Sequence, residues 1–339
     1  MKKKRLIIVG GGFAGITLAK RASGKFDTLL VDKKSYFEFI PGIPEALVNK
    51  KMKASLQFPY EKLRNIKFIN AEIKSFDNKK IILKNGRILY FDFLVLSTGS
   101  SYKNPIKESK NSIKFRLSGL EKYNKKISNS KSIAVIGGGI VGAEVAGEIS
   151  SKFENKKIFL IQAGDTLVPR NNLKTQKIVK NILEKQGVNI RLNERFEKIF
   201  VKKIKTDNRE YNVDLSIFCL GISPNTNFSD KKYLDEKGYF KVSSNLRLLN
   251  EKNIFVMGDA TNVLEEKTAQ SAIAHAKLVM KNLENILQER KLKDYNIQKR
   301  PLVIKMGKGA VLEMGSISIT GIIPKLIKKI IEKKFMLFI

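Results

Sequence analysis

The sequence predicts an α/β protein built from two Rossmann-like dinucleotide-binding units, with a short C-terminal segment that ends in an amphipathic helix. Three observations predict it. Residues 6–15 read as an apolar strand, a G-x-G-x-x-G turn (Gly10, Gly12, Gly15) and the start of a helix. Residues 133–144 repeat that order with Gly137, Gly139 and Gly142. The last residues, from Ile323 on, carry apolar side chains at helical period with lysines between them. In such a turn the first glycine permits the tight bend and the second lets the backbone approach a pyrophosphate. The third allows close helix–strand packing. The free N–H groups of the helix start then favour an anion. One copy is a weak signal; two in one chain point to two dinucleotides held near each other, and hence to electron transfer between them.

The elements follow in order. Residues 6–9 are strand one, 14–22 a helix and 28–31 strand two, which ends on Asp32. That acid lies roughly 20 residues past the first glycine, where a carboxylate bonds a ribose hydroxyl. Residues 71–96 alternate apolar and polar side chains, with Asn78-Lys79 and Asn85-Gly86 as turns. They lead into a closing strand that ends in Ser97-Thr98-Gly99. The second unit repeats this with strand two at 158–161, a hairpin region at 193–211 and a closing strand at 214–221 ending in Gly221. Its strand two ends on Gln162, not on an acid. An amide can bond a ribose hydroxyl and does not repel a 2′-phosphate, so both NADH and NADPH stay open. A buried strand over 253–259 ends in Gly258-Asp259, a helix spans 268–287, and the last forty residues read as two short strands and one helix.

Composition bounds the function. A chain of 339 residues with 42% hydrophobic content is long and apolar enough for a folded protein of two or three domains. Lys+Arg number 65 against 32 Asp+Glu, a net charge of +33. The lysines are scattered and no nucleic-acid-binding module is present, so no nucleic acid is expected as partner. The single cysteine, Cys219, excludes an intramolecular disulfide and suits a reducing compartment. The basic start at Met1 superficially resembles a secretory signal, but three glycines interrupt the apolar run that follows. No apolar run approaches the roughly 18 residues that span a bilayer.

On these motifs the chain resembles the two-dinucleotide-domain flavoproteins of the pyridine nucleotide-disulfide oxidoreductase superfamily. Within it, the similarity is to the type II NADH:quinone oxidoreductases and their apoptosis-inducing-factor-like relatives. The resemblance covers residues 6–287 and implies that the second unit is inserted in the first. It places an FAD-binding domain at 1–115 and 254–299, an NAD(P)H-binding domain at 116–253, and a C-terminal segment at 300–339. Carried over residue by residue, Gly10, Gly12, Phe13, Ala14 and Gly15, with Asp32 and Lys33, would grip FAD. Thr98-Gly99 resembles the superfamily's Ala-Thr-Gly segment, Gly258-Asp259 the segment whose acid bonds FAD, and Pro41 the proline beside the flavin ring. Gly137, Gly139 and Gly142, with Gln162 and Gly221, would serve the nicotinamide nucleotide. Glu144 would lie close to flavin and nicotinamide. Ala269 and Gln270 resemble the segment that opens the quinone-side helix; the second glutamine of that segment is replaced by Ala274, followed by His275, the chain's only histidine.

Cysteine usage separates subfamilies. Disulfide reductases of the superfamily need two nearby cysteines beside the flavin, sulfide:quinone reductases need cysteines that carry the sulfur, and peroxidase- and CoA-disulfide-type members use one after strand two, where this chain reads Ser35-Tyr36-Phe37-Glu38-Phe39-Ile40-Pro41. Cys219 lies inside an apolar strand and reads as a core residue. The resemblance therefore implies hydride transfer from NADH or NADPH to FAD and two electrons onward to a quinone, without proton pumping. His275 is read either as a proton donor to quinone or as a packing residue. In the terminal helix, Ile323, Leu326, Ile327, Ile330, Ile331, Phe335 and Phe338 share one face, opposite Lys325, Lys328, Lys329, Glu332 and Lys333. That pattern suits an anionic membrane interface, hence a peripheral protein on the cytoplasmic face; the alternative is a helix docked on the protein itself or on a second copy. Two rival functions remain. One is a soluble NAD(P)H-dependent ferredoxin or rubredoxin reductase or NAD(P)H oxidase. The other, outside enzymes, is an FAD-bound redox sensor. Homodimerisation is left open.

Overall fold

The computed structural model of the protein describes residues 3–107 and 111–339; Met1 and Lys2 of the basic start lie outside the described residues. Leu6, Ile7 and Ile8 are fully buried, as expected of a strand covered on both faces. They belong to a parallel sheet with strand order Ile254–Val256, Phe93–Leu96, Arg5–Val9, Asp27–Asp32, Lys67–Asn70. The outermost strand, Ile254–Val256, comes last in sequence, so the chain between it and Phe93–Leu96 is inserted into this sheet. The inserted part builds a second parallel sheet in the order Val188–Arg191, Lys157–Ile161, Ser132–Ile136, Leu215–Phe218.

In both sheets the strand before the glycine turn sits between strand two and the closing strand. Chain connections leave it in opposite directions, which opens a crevice at the carboxyl ends of the strands. Each sheet carries a three-stranded antiparallel appendage, Ile73–Phe76 to Ile88–Tyr90 in the first and Phe196–Phe200 to Glu210–Asn212 in the second. The turns of the first fall at Asn78-Lys79 and Asn85-Gly86, as expected. Ser100–Ser101 pairs antiparallel with Ser223–Pro224 and ties the two units together next to the crevice.

The C-terminal segment differs from expectation by one strand. Leu302–Met306, Gly309–Met314 and Ile317–Thr320 form an antiparallel sheet, turned at Gly307 (φ 58°) and Gly315 (φ 63°). The sheet lies on the helix Ile140–Lys152, whose Gly147 makes room: a Cβ there would sit 2.4 Å from that of Met306.

The terminal helix, Ile322–Phe338, docks on the protein by one side. Phe335 packs against Phe13 and Phe37, ring centroids 4.8 and 5.3 Å apart, and Lys20 Nζ donates to the Ile339 carbonyl at 3.3 Å. This corrects the single apolar face read from the sequence. Ile327 and Phe335 turn inward, and Lys328, assigned to the solvent side, turns inward with them. Ile322, Ile323, Leu326, Ile330 and Leu337 stay half or more exposed, alongside Lys329, Lys333 and Lys334. Helical period alone cannot split an apolar arc wider than one contact into a docked and a free part. Among the described residues no helix is long and apolar enough to cross a membrane.

Candidate functional site

One cavity of about 2000 Å³ runs along the carboxyl ends of both sheets. Single-ligand pockets span roughly 300–1,000 Å³, so this space suits two large ligands. Both glycine turns line it. Gly10 (φ 101°) and Gly137 (φ 107°) take backbone conformations that L side chains rarely adopt, and a Cβ on either would lie 2.3 or 2.2 Å from the carbonyl of Ser97 or Cys219. At Gly12 and Gly139 a Cβ would meet nothing within 4 Å, because these glycines face the cavity. Gly15 and Gly142 lie beneath the turns, outside the lining; a Cβ there would sit 1.8 Å from the carbonyl of Gly10 or Gly137. Two bare backbone cradles at helix starts, with Phe13 and Ala14 lining the first, fit the pyrophosphates of two dinucleotides.

Beside each cradle stands the residue that ends strand two. Asp32 Oδ2 accepts the Gly11 N–H at 2.6 Å and Oδ1 the Lys34 N–H at 2.7 Å. Burial pushes this carboxyl above the ordinary carboxylate range, while Lys34 and the two N–H groups pull it back. Gln162 Oε1 accepts the Gly138 N–H at 2.9 Å, which leaves its amide NH₂ as the polar group for a ligand. Lys33 also lines the cavity. Tyr60, fully buried, donates to the Gly11 carbonyl at 2.8 Å and covers the back of the first turn. No local pattern marks Tyr60, which arrives from 49 residues away.

The middle of the cavity is made by the two closing strands and the Gly258-Asp259 segment. Thr98 Oγ1 donates to the Asn225 carbonyl at 2.7 Å and Asn225 Nδ2 returns a bond to the Thr98 carbonyl, fixing Gly99 and Gly221 at the junction. Asp259 Oδ2 accepts Ser100 Oγ at 2.5 Å and faces Lys107 Nζ at 3.4 Å. The Gly258 N–H donates to His275 Nδ1 at 3.0 Å. That acceptance places the imidazole proton on Nε2, 2.7 Å from Glu265 Oε1. His275 is 1% exposed and is not among the cavity-lining residues; it braces the Gly258 turn, in line with the packing reading. Thr268 caps the helix Ala269–Leu287 through the Ser271 N–H, so Ala269 and Gln270 open that helix at the cavity wall. Gln270 Nε2 donates to the Pro301 carbonyl at 2.6 Å.

Pro41, in the turn Ile40–Gly42, lines the cavity from the first unit, and Glu144, two residues past the last glycine of the second turn, lines it from the second. Glu144 is 5% exposed. Its Oε1 accepts Lys328 Nζ at 2.5 Å and the Lys305 N–H at 3.2 Å. The terminal helix thus supplies a cation to the acid and, through Ile331 and Phe335, part of the wall. Behind Pro41, Glu38 is buried against Arg116, whose Nε donates to it at 2.5 Å while its two other nitrogens hold the Pro105 and Ile106 carbonyls. Neither Lys328 nor Arg116 shows a motif in the sequence.

Cys219 is 6% exposed under the second turn, and burial pushes its thiol up to about 12. A thiol of that kind is not ionised near neutral pH and is a poor nucleophile. The core reading of Cys219 agrees with this placement.

Comparison with known proteins follows the same outline. The pyridine nucleotide-disulphide oxidoreductase family matches residues 4–276. The chain is 31% identical over 323 residues to apoptosis-inducing factor homolog A of Dictyostelium discoideum, covering 84% of this chain and 78% of that one. Its fold is similar to the sulfide:quinone oxidoreductase of Aquifex aeolicus, with a TM-score of 0.85 and 18% identity over 98% of this chain and 91% of the other. It is also similar to NDH2 from Plasmodium falciparum, solved in complex with NADH, with a TM-score of 0.82 and 15% identity over 99% and 97% of the two chains.

Proposed function

This chain belongs to the pyridine nucleotide-disulphide oxidoreductase family, and we propose that within it the protein is a peripheral-membrane NAD(P)H:quinone oxidoreductase that does not pump protons. It is an FAD-dependent pyridine nucleotide oxidoreductase whose cofactors are FAD and NAD(P)H. When bound, the flavin supplies the relay between a two-electron hydride donor and the acceptor. The chain itself supplies placement, charge and exclusion of water.

The first turn, Asp32 with Lys33, Pro41, the Thr98-Gly99 strand end, Gly258-Asp259 and Ala269 are assigned to FAD. The second turn, Gln162 and Gly221 are assigned to the nicotinamide nucleotide, in a domain that interrupts the first. Glu144, held by Lys328, sits where the two would meet, and Gln270 borders the acceptor side. The observation that carries the reading is that both bare cradles open on one cavity to whose wall the terminal helix contributes Lys328, Ile331 and Phe335. That helix closes the cavity with Lys328 and Phe335 and turns a basic, apolar side outward. A lipid-soluble quinone fits this arrangement, because the surface that meets the membrane is continuous with the wall of the electron-transfer cavity. Each exposed lysine near an anionic leaflet adds on the order of 1 kcal/mol, which favours the cytoplasmic face.

The test is steady-state oxidation of NADH and NADPH against a soluble quinone, a quinone embedded in anionic liposomes, a ferredoxin and oxygen. Quinones are expected to turn over faster than ferredoxin or oxygen. Faster reduction of ferredoxin or oxygen would replace the quinone reading with the soluble reductase or oxidase, and no turnover with any acceptor would favour the redox sensor.

A further inference from the structure

Lys305 is a cation in the protein interior, its side chain 9% exposed, and it holds two carboxylates from different parts of the chain. Its Nζ lies 2.7 Å from Glu45 Oε2 and 2.6 Å from Glu148 Oε1. Glu148 is one helical turn beyond Glu144, on the helix that starts at the second glycine turn. Glu45 lies on the short helix Ile43–Ala46, directly after the Ile40–Gly42 turn, and both Pro41 and Pro44 line the cavity. The Lys305 N–H also reaches Glu144 Oε1 at 3.2 Å. Burial alone would lower the Lys305 ammonium, yet Glu148 and Glu45 hold it above the ordinary lysine range, so it stays charged.

Packing already fixes one of these distances. The strand bearing Lys305 is pressed onto the helix at Gly147, where not even a Cβ fits. The Ile43–Ala46 helix also meets that helix through apolar side chains, Ile43 and Ala46 lying in one buried core with Ala143 and Ala146. Its charged tie to the helix is the Glu45–Lys305–Glu148 bridge.

We propose that Lys305 is a positioning residue that clamps the flavin wall of the cavity to the nicotinamide wall, and so sets the gap across which hydride moves. The proposal rests on the cofactor assignment made above. Hydride transfer requires reacting atoms about 3–3.5 Å apart, and a misplacement of 1 Å costs about 100-fold. A bridge with one arm on each wall acts on that distance and on neither cofactor's own contacts.

The experiment is anaerobic rapid mixing of the FAD-loaded protein with NADH, read as bleaching of the flavin absorbance and expressed per bound flavin. Lys305→Met is expected to lower the limiting reduction rate by about tenfold or more, with the half-saturating NADH concentration changed less than about twofold. Lys305→Arg should recover most of the rate. Glu45→Gln cuts only the flavin-side arm at a partly exposed position and keeps the fold even if Lys305→Met does not. It should slow reduction several-fold with bound flavin and melting temperature near those of the unaltered protein. Reduction rates per flavin that match the unaltered protein in Glu45→Gln, or in folded Lys305→Met, would overturn the clamp while leaving the cofactor assignment standing. An unaltered protein whose flavin neither NADH nor NADPH bleaches would overturn the assignment and the clamp together.

Discussion

Gly10, Gly12 and Gly15 of the first unit and Gly137, Gly139 and Gly142 of the second meet the same obstacles at nearly the same distances. The first glycine of each set is blocked by a closing-strand carbonyl at 2.3 or 2.2 Å, the third by the first glycine's carbonyl at 1.8 Å, and the second by nothing. The side chains around them do not match. Asp32 faces Gln162 across the comparison, Ser97 faces Cys219, and Tyr60 behind Gly11 answers to Leu167 behind Gly138. Two residues past the last glycine, buried Thr17 stands where the second unit has Glu144. The shared part is backbone geometry, which any pyrophosphate demands. The divergent part is side-chain chemistry, and it gives only the second unit a buried acid, Glu144, at this place on the cavity wall.

The largest effect separates the two cradles. Gly12→Val should leave a folded, colourless protein that takes up no FAD, because φ at Gly12 is −64° and the added side chain meets only cavity. Gly139→Val, at φ −71°, should stay yellow and lose flavin reduction by either nucleotide. Absorbance of the purified proteins and anaerobic titration with NADH check both. If each variant lost the same ligand, the division of labour would be wrong.

Next comes the asymmetry that the terminal helix adds. Leu326→Glu with Ile330→Glu alters only exposed positions, so turnover with a soluble quinone should persist. Flotation with anionic liposomes and turnover with embedded quinone should fall together. Undiminished flotation would show that the exposed stripe is not the membrane contact.

A smaller effect is expected at Gln162. With Glu there, one oxygen can keep the Gly138 N–H bond and the other places a negative charge where the amide NH₂ stood. The ratio of kcat/KM for NADPH to that for NADH should drop about tenfold or more, on the order of 1.4 kcal/mol. An unchanged ratio would remove Gln162 from the ribose.

The smallest effect belongs to Cys219→Ser. Ser97 at the matching place donates to the Gly10 carbonyl at 2.7 Å, so a hydroxyl is compatible with such a turn. NAD(P)H:quinone turnover should stay near that of the unaltered protein, and thermal melting should report a stability change within about 1 kcal/mol. Loss of activity with flavin still bound would restore a thiol step.

The sequence by itself determined the inner strands of both sheets, both cradles and the residue at each strand-two end, but not the edge strands Lys67–Asn70 and Val188–Arg191. The determined features depend on local rules: a buried strand, a turn that only glycine can make, and a helix start, all within a few tens of residues. Nearly every residue picked out by these rules or by the family resemblance, from Gly10 to Gln270, lines the cavity, and Gly15 and Gly142 lie just beneath it. What the chain carries from afar was not legible. Tyr60, Arg116, Lys305 and Lys328 act through partners 49, 78, 157 and 184 residues away. Lys328 reads as one more lysine on a polar face until the helix docks. Only the tertiary structure decided that it turns inward, because burying an acid such as Glu144 favours a nearby cation, and which cation arrives depends on how the last helix crosses the cavity.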